Sequence, residues 1–168
     1  MTRLNAEDFN RLYTTYARRA QGFFLRMTGY DRELARDLTQ ELFTRLWANR
    51  DSYDTDRPFS TWMFAAAYNL LKNEYRHSMT VSQYEQEIDR SEPYMESDAL
   101  EAQQRDSILR SAIERLPEQQ RVVFMLRYEE DMPLAEIARV CNIPEGTVKS
   151  RLFNALASVR DYCKIIKD

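Results

Sequence analysis

Apolar residues recur at helical spacing along three stretches in the first half of the chain, and each stretch predicts an amphipathic helix. The first stretch runs from Glu7 to about Thr28. Asp31 is suited to cap the second helix, because its side chain can accept a hydrogen bond from the backbone at the helix start. Ser60 or Thr61 is expected to cap the third helix in the same way. The first half of the chain therefore predicts a small helical domain.

The second half resumes this periodicity at Ala99 and ends in two helices separated by a tight turn. Apolar positions from Leu134 to Leu152 keep helical spacing and are interrupted only around Asn142. Asparagine tolerates the left-handed conformation that a chain reversal requires, and Pro144 presets the backbone for a new helix. The pattern is typical of a helix-turn-helix, which places side chains on base edges in the major groove of DNA. An ordinary helical hairpin with a solvated polar face would show the same periodicity.

Residues 78–104 separate the two periodic regions and carry a net charge of -6. They contain one basic and seven acidic residues, whereas residues 1–77 and 105–168 carry net charges of +2 and +1. Because the segment lacks sustained periodicity, it predicts a flexible acidic linker. The expected fold class is all-α, with two small helical domains, 1–77 and 105–168, joined by that linker. Since neither domain is strongly basic, we expect the affinity of the chain alone for DNA to be weak.

The residue types that carry most catalysis and metal binding are scarce. The chain has one histidine, two cysteines and three glycines, without a phosphate-binding glycine motif or a cluster at zinc-ligand spacing. Cys141 and Cys163 are interpreted as reduced packing thiols. We expect no catalytic residue, no metal and no cofactor. No apolar run approaches the roughly 20 residues that span a bilayer, and the first residues lack a secretory pattern, so we expect a cytoplasmic protein.

Six short motifs follow one another along nearly the whole chain. They are Asp37–Trp47 (DLTQELFTRLW), Arg57–Phe64 (RPFSTWMF), Ala67–Asn73 (AYNLLKN), Leu116–Val122 (LPEQQRV), Ile137–Ala138 (IA) and Gly146–Leu152 (GTVKSRL). Each motif alone is only moderately specific, but their order and spacing together are highly specific. In this combination the chain resembles bacterial RNA polymerase sigma factors of the sigma-70 family, in the extracytoplasmic-function (ECF) group.

The resemblance implies a sigma-2 domain at residues 1–77 and a sigma-4 helix-turn-helix domain at residues 105–168. Sigma-2 would bind the clamp coiled coil of the polymerase β′ subunit and would recognise and melt the -10 promoter element. Sigma-4 would bind the β flap tip and read the -35 element, while the linker would run toward the RNA exit channel. The implied partners are core RNA polymerase, promoter DNA and an anti-sigma factor. No insertion into a membrane is implied.

The resemblance also assigns side chains to each of these surfaces. Polymerase binding falls on one polar face of the second helix, at Asp37, Gln40, Glu41, Thr44 and Arg45. Recognition of the -10 element, by stacking on unpaired bases and hydrogen bonding to base edges and phosphates, falls on Tyr53, Phe59, Trp62, Asn69, Lys72, Asn73 and Arg76. Recognition of the -35 element falls on Thr147, Lys149, Ser150, Arg151, Phe153 and Asn154.

Two departures from the family pattern affect promoter use. Ala65 and Ala66 stand where primary sigma factors carry a tryptophan pair that props the duplex open, so melting should be weaker and promoter choice stricter. Asn154 stands where many relatives have arginine, so we expect the affinity for the -35 element or the preferred -35 sequence to differ. Both expectations follow from the resemblance.

Three other functions remain open on the sequence alone. A helix-turn-helix repressor or response regulator would explain the second half, but it leaves Asp37–Trp47 and Arg57–Asn73 without a role. An enzyme acting on nucleic acid is disfavoured by the single histidine and by the lack of clustered carboxylates. An inactive adaptor that merely keeps the sigma fold would have the same motifs.

Overall fold

The computed structural model describes residues 3–81 and 100–167. Within these residues the chain forms seven α-helices and no strand, which confirms the expected all-α class. The helices are α1 (Ala6–Met27), α2 (Arg32–Ala48), α3 (Phe59–Val81), α4 (Leu100–Glu114), α5 (Glu118–Tyr128), α6 (Leu134–Cys141) and α7 (Glu145–Lys167). A short 3-10 turn, Arg50–Ser52, follows α2.

Local capping explains where the first helices begin. The side-chain oxygen of Asn5 accepts from the backbone N–H of Asp8 at 2.7 Å, and Asp31 accepts from the N–H of Leu34 at 3.1 Å, as expected. The expected cap of the third helix is wrong. Because α3 begins at Phe59, directly after a proline, Ser60 and Thr61 lie inside its first turn.

Helices α1, α2 and α3 pack around an aromatic-rich core. Phe24, Phe64, Leu42 and Met63 are fully buried, and the rings of Phe23 and Phe64 meet edge to face with their centroids 5.3 Å apart. Burial of large aromatic side chains contributes most of the hydrophobic stabilisation available to a domain of this size. The first half therefore has a core that fixes the direction of α3.

Helices α4 to α7 pack around a second set of buried residues, and α7 is held against α4, α5 and α6. Its inner stripe consists of Val148, Leu152, Ala155 and Val159, which follow one another at spacings of four, three and four residues and are all buried. Arg121 donates to the carbonyls of Glu114 and Leu116 at 2.6 and 2.9 Å. It thereby satisfies carbonyls at the end of α4.

The turn between α6 and α7 depends on one left-handed residue. Asn142 has φ 55° and ψ 52°, and the N–H of Ile143 donates back to the carbonyl of Ala138 at 3.0 Å. This is the usual way in which a helix ends on a left-handed residue. The predicted conformation of Asn142 is confirmed, and the turn sets the angle between α6 and α7.

Replacing Asn142 with valine is expected to lower the free energy of unfolding by about 1–2 kcal/mol, because a β-branched residue is strained at positive φ. Asn142→Gly is the matched control and should stay within about 1 kcal/mol of the parent, since glycine adopts this conformation freely. Urea unfolding followed by circular dichroism measures both changes. Equal stability of the two variants would contradict the role given to the turn.

The two halves of the chain are in direct contact. Helix α3 lies against α6, and α1 lies against α5. The buried residues of both halves form one continuous apolar cluster. Helices α3 and α4 also extend into the linker predicted at 78–104, since α3 ends at Val81 and α4 begins at Leu100. The remainder of that linker, 82–99, lies outside the described residues.

None of the helices in the described ranges is both long enough and apolar enough to cross a membrane.

Candidate nucleic-acid interface

The outer face of α7 presents polar and aromatic side chains to solvent. Lys149, Ser150, Phe153 and Asn154 are exposed, opposite the buried stripe of the same helix. The ring of Phe153 is 74 % exposed, which is unusual for a phenylalanine and leaves it available to an apolar partner. The hydroxyl of Ser150 donates to the carbonyl of Gly146 at 3.1 Å, so its oxygen lone pairs remain available as acceptors.

The other two residues assigned to this helix lie at its flank. Thr147 and Arg151 are half-buried. Arg151 is close enough to Tyr68 of α3 and to Cys141 of α6 to influence both of their pKa values. The structure therefore brings four of the six predicted -35 residues together on one exposed face and leaves the remaining two half-buried at its flank.

The loop between α2 and α3 rests on a cluster of aromatic rings. Tyr53 stacks on Trp62 with centroids 4.9 Å apart and planes inclined by 28°, and its hydroxyl donates to the carbonyl of Arg57 at 2.9 Å. Both rings are half-buried. Burial raises the pKa of Tyr53, an effect to which nearby Tyr16 and Asp54 add, so its hydroxyl remains a donor at neutral pH.

Phe59, which was also expected to stack on a base, lies beneath this pair. It is 4 % exposed and packs between Tyr16, at 4.9 Å between centroids, and Trp62, at 5.8 Å. A base would have to displace one of these rings to reach it. The structure thus places Phe59 beneath the other two rings and leaves Tyr53 and Trp62 partly exposed.

Polar residues of α3 continue from this aromatic cluster toward the end of the helix. Asn69, Asn73 and Arg76 are exposed and lie along one side of α3. Lys72 is half-buried, and its ammonium lies over the ring of Tyr68, 4.7 Å from the centroid. Asn69, Lys72, Asn73 and Arg76 are therefore neighbours on α3, but the ammonium of Lys72 already makes a cation–π contact within the protein.

The polar face predicted on α2 is present. Asp37, Gln40, Glu41, Thr44 and Arg45 are all exposed, while Leu38 and Leu42 are buried on the opposite side. Two members of the face are paired with each other, because the guanidinium of Arg45 donates to Glu41 at 2.6 and 3.0 Å. Trp47 is half-buried against Phe9, with their ring centroids 5.1 Å apart.

A further set of polar residues, which the sequence did not indicate, lies where the two halves meet. Tyr68 of α3 is buried there, and burial raises its pKa to about 12, an effect to which Glu118 and Cys141 add while Arg151 opposes it. Burial also raises the pKa of Glu118, against the opposing charges of Lys72 and Arg121. One carboxyl oxygen of Glu118 is buried without a hydrogen-bond partner. This junction therefore lies next to two residues of the predicted DNA-binding sets, Lys72 of the -10 set and Arg151 of the -35 set.

Comparisons with known proteins agree with the motifs in both halves. The family model for sigma-70 region 2 matches residues 12–79 and that for sigma-70 region 4 matches residues 106–159. The ECF RNA polymerase sigma factor SigW of Bacillus subtilis is 32% identical over 148 residues, which cover 80% of this chain and 78% of SigW. SigL of Mycobacterium tuberculosis is 32% identical over 152 residues, covering 89% of this chain and 85% of SigL.

A solved structure shares the fold. The sigma factor RpoE from Bartonella quintana, crystallised in complex with the anti-sigma factor NepR, superposes with a TM-score of 0.78 at 20% identity, over 95% of this chain and 99% of that one. The family is decided by the matches to two sigma-70 regions, by their order along the chain and by the extent of the similarity to SigW and SigL. This chain belongs to the sigma-70 family of RNA polymerase sigma factors, in its extracytoplasmic-function (ECF) group.

Proposed function

We propose that this protein is a dissociable subunit that directs core RNA polymerase to promoters with specific -35 and -10 elements. The observation that carries the proposal is the exposed outer face of α7, where Lys149, Ser150, Phe153 and Asn154 have no covering element in the described structure. A helix that presents cationic, hydroxyl, amide and aromatic groups together can enter a major groove and contact base edges, thymine methyl groups and phosphates.

The first domain is proposed to read and open the -10 element. An unpaired base can stack against the exposed part of the Tyr53–Trp62 pair, because stacking on an aromatic ring is favourable for every base. Asn69 offers a donor and an acceptor on one exposed amide, which matches the edge of an adenine. Asn73 and Arg76 follow on the same side of α3 and are placed to meet the phosphate backbone.

The exposed face of α2 is proposed as the contact with the clamp coiled coil of the polymerase β′ subunit. Asp37, Gln40, Glu41, Thr44 and Arg45 provide hydrogen-bonding groups of both polarities on a helix that the core holds rigid. The second domain is proposed to bind the β flap tip. In this role the protein supplies no catalytic residue, because the polymerase forms the phosphodiester bonds. We propose that this protein acts in the cytoplasm.

An anti-sigma factor is proposed as the regulating partner. Support comes from the solved sigma factor of the same fold, whose structure is described as a complex with an anti-sigma factor. The exposed α2 face is the surface that such a partner would need to cover in order to compete with polymerase.

The proposal is tested by run-off transcription with purified bacterial core polymerase on a fragmented genomic library, with and without this protein. Discrete new start sites that share -35 and -10 elements are expected. Tight binding to one DNA site without polymerase, combined with no transcripts, would instead support a helix-turn-helix repressor.

Replacing Lys149 with alanine is expected to lower transcription from promoters with a strong -35 element about tenfold, because a direct contact to a base or phosphate contributes on the order of 1–3 kcal/mol. Lys164→Ala is the matched control, since Lys164 is also exposed but lies near the far end of α7. Transcription is compared on templates that carry an intact or a scrambled -35 element. An unchanged preference for the intact -35 element in the Lys149 variant would remove Lys149 from the interface.

A further inference from the structure

The loop between α2 and α3 is anchored at both of its ends. At its start, the guanidinium of Arg50 lies 4.1 Å from the centroid of the Trp47 ring and donates to the Trp47 carbonyl at 2.9 Å. This contact lies at the end of α2, where backbone carbonyls lack partners within the helix. At the other end of the loop, Phe59 begins α3 and is buried. Both ends therefore have a fixed position on the first domain.

Between these two anchors, the loop has one side chain that packs on the protein. Residues 51–58 are all exposed except Tyr53, which is half-buried. The ring of Tyr53 stacks on Trp62, and its hydroxyl donates to the carbonyl of Arg57, four residues further along, at 2.9 Å. This hydrogen bond is called the tyrosine bridge. It connects the outer part of the loop to a ring that is packed on α3.

Residues 54–57, which the bridge encloses, form a tight turn. The N–H of Arg57 donates to the carbonyl of Asp54 at 3.0 Å, and the N–H of Asp56 donates to the carboxylate of Asp54, also at 3.0 Å. Aspartate often stabilises a turn by accepting from the backbone two residues further on. These bonds join only residues of the turn to one another. The position of the turn relative to α3 therefore depends on the tyrosine bridge.

The position of this turn matters for the proposed reading of the -10 element. Because the hydroxyl of Tyr53 contacts Arg57, the turn lies at the border of the Tyr53–Trp62 pair, on which an unpaired base is proposed to stack. Ordering a loop costs conformational entropy, and a loop that is already held in its binding position avoids this cost when the ligand arrives. If the loop is held for only part of the time, the apparent affinity falls by the same fraction.

We propose that Tyr53 is a positioning residue for the -10 element, whose hydroxyl holds the turn of residues 54–57 against an unpaired base stacked on the Tyr53–Trp62 pair. The ring and the hydroxyl of Tyr53 then have separate tasks, since the ring offers a stacking surface and the hydroxyl places its border. The bridge itself depends only on the contacts described above, whereas its effect on DNA binding rests on the proposed function.

Amide hydrogen exchange of the full-length protein, measured by NMR, tests the bridge. Tyr53→Phe keeps the ring and removes only the hydroxyl, so the amides of Asp56 and Arg57 are expected to exchange about two- to fivefold faster. Tyr13→Phe is the matched control, because Tyr13 is an exposed tyrosine on α1 of the same domain, and it should leave this exchange unchanged. Unchanged exchange in the Tyr53 variant would overturn the proposal.

Binding of single-stranded -10 DNA to the holoenzyme reconstituted with core polymerase tests the positioning role. The probe is the non-template strand of a promoter found by run-off transcription, together with copies in which one -10 base at a time is replaced by an abasic site. Tyr53→Phe is expected to bind the intact strand about two- to fivefold more weakly than the wild type. This difference should disappear at the one abasic position where the captured base is missing, and Tyr13→Phe should match the wild type on every strand.

The other outcomes contradict particular steps. Equal losses on the intact strand and on every abasic strand would overturn positioning, because a general disturbance of the domain does not depend on one base. Equal affinity of the Tyr53 variant and the wild type for the intact strand would also overturn it, even if exchange in the loop is faster. A wild-type holoenzyme that binds the -10 strand no better than a scrambled strand, or that yields no start sites, would refute the proposed function and this role of Tyr53 with it.

Discussion

Replacing Phe64 with alanine is expected to lower the free energy of unfolding by about 3–5 kcal/mol, the largest stability effect predicted for this chain. The side chain is fully buried and meets the ring of Phe23 edge to face. Its removal would take away apolar burial, leave a cavity and abolish an aromatic contact in a core where α1 and α3 cannot easily collapse. Urea unfolding of the parent and the variant, monitored by circular dichroism, measures the change.

Phe153→Ala is the matched control for this experiment. It makes the same substitution on the exposed face of α7, where the ring is 74 % exposed, and it should change the free energy of unfolding by no more than about 0.5 kcal/mol. If both variants lose the same stability, the burial described for Phe64 does not represent the protein in solution. A variant that no longer folds at all would exceed the expected loss, and Phe64→Leu would then give the smaller step on the same scale.

Replacing Asn69 with alanine is expected to reduce transcription from promoters that depend on the -10 element about 10- to 100-fold, with polymerase binding unchanged. A bidentate contact to a base edge contributes on the order of 1–3 kcal/mol to discrimination, which corresponds to this range. Asn69 is exposed on α3 and lies on a helix different from the one that carries the proposed polymerase face, so the two functions should separate.

The measurement pairs run-off transcription with the affinity of the variant for core polymerase. Asn10→Ala removes an equally exposed amide from α1 and should leave both quantities unchanged. Equal losses of transcription and polymerase affinity in the Asn69 variant would show that the substitution disturbs the domain as a whole, and the assignment of Asn69 to the -10 element would fall.

Local rules were sufficient to predict much of this structure. The spacing of apolar residues gave the helices, and capping and turn preferences placed Asp31 and Asn142 correctly, because such contacts join residues only three to five positions apart. The start of α3 was misjudged because Pro58 and the two hydroxyl residues after it offer competing start signals. The helix begins directly after Pro58, two or three residues before the start that a cap at Ser60 or Thr61 would give.

The candidate site was less predictable wherever packing decides the role of a side chain. The periodicity of apolar residues could not show that Phe59 is buried in the core while the neighbouring side chain of Trp62 is partly exposed. It also gave no indication that Arg121 binds the carbonyls at the end of α4. It also could not indicate the ion pair of Arg19 with Glu130 or the hydrogen bond from Thr61 to Glu136, since these residues are 111 and 75 positions apart in the chain. Such pairs arise from the docking of domains, which leaves no periodic trace in a single sequence.

The positions at which α3 ends and α4 begins also determine how the contact between the two halves of the chain responds to dilution. Val81 and Leu100 are joined by a segment that can span at most about 65 Å. A covalent connection of this length keeps each domain at an effective concentration on the order of millimolar around the other. Contacts too weak to hold two separate domains together can therefore persist within one chain at any protein concentration. A competitor for either domain must exceed this internal concentration, and a ligand that binds both domains far apart overcomes it in a single step.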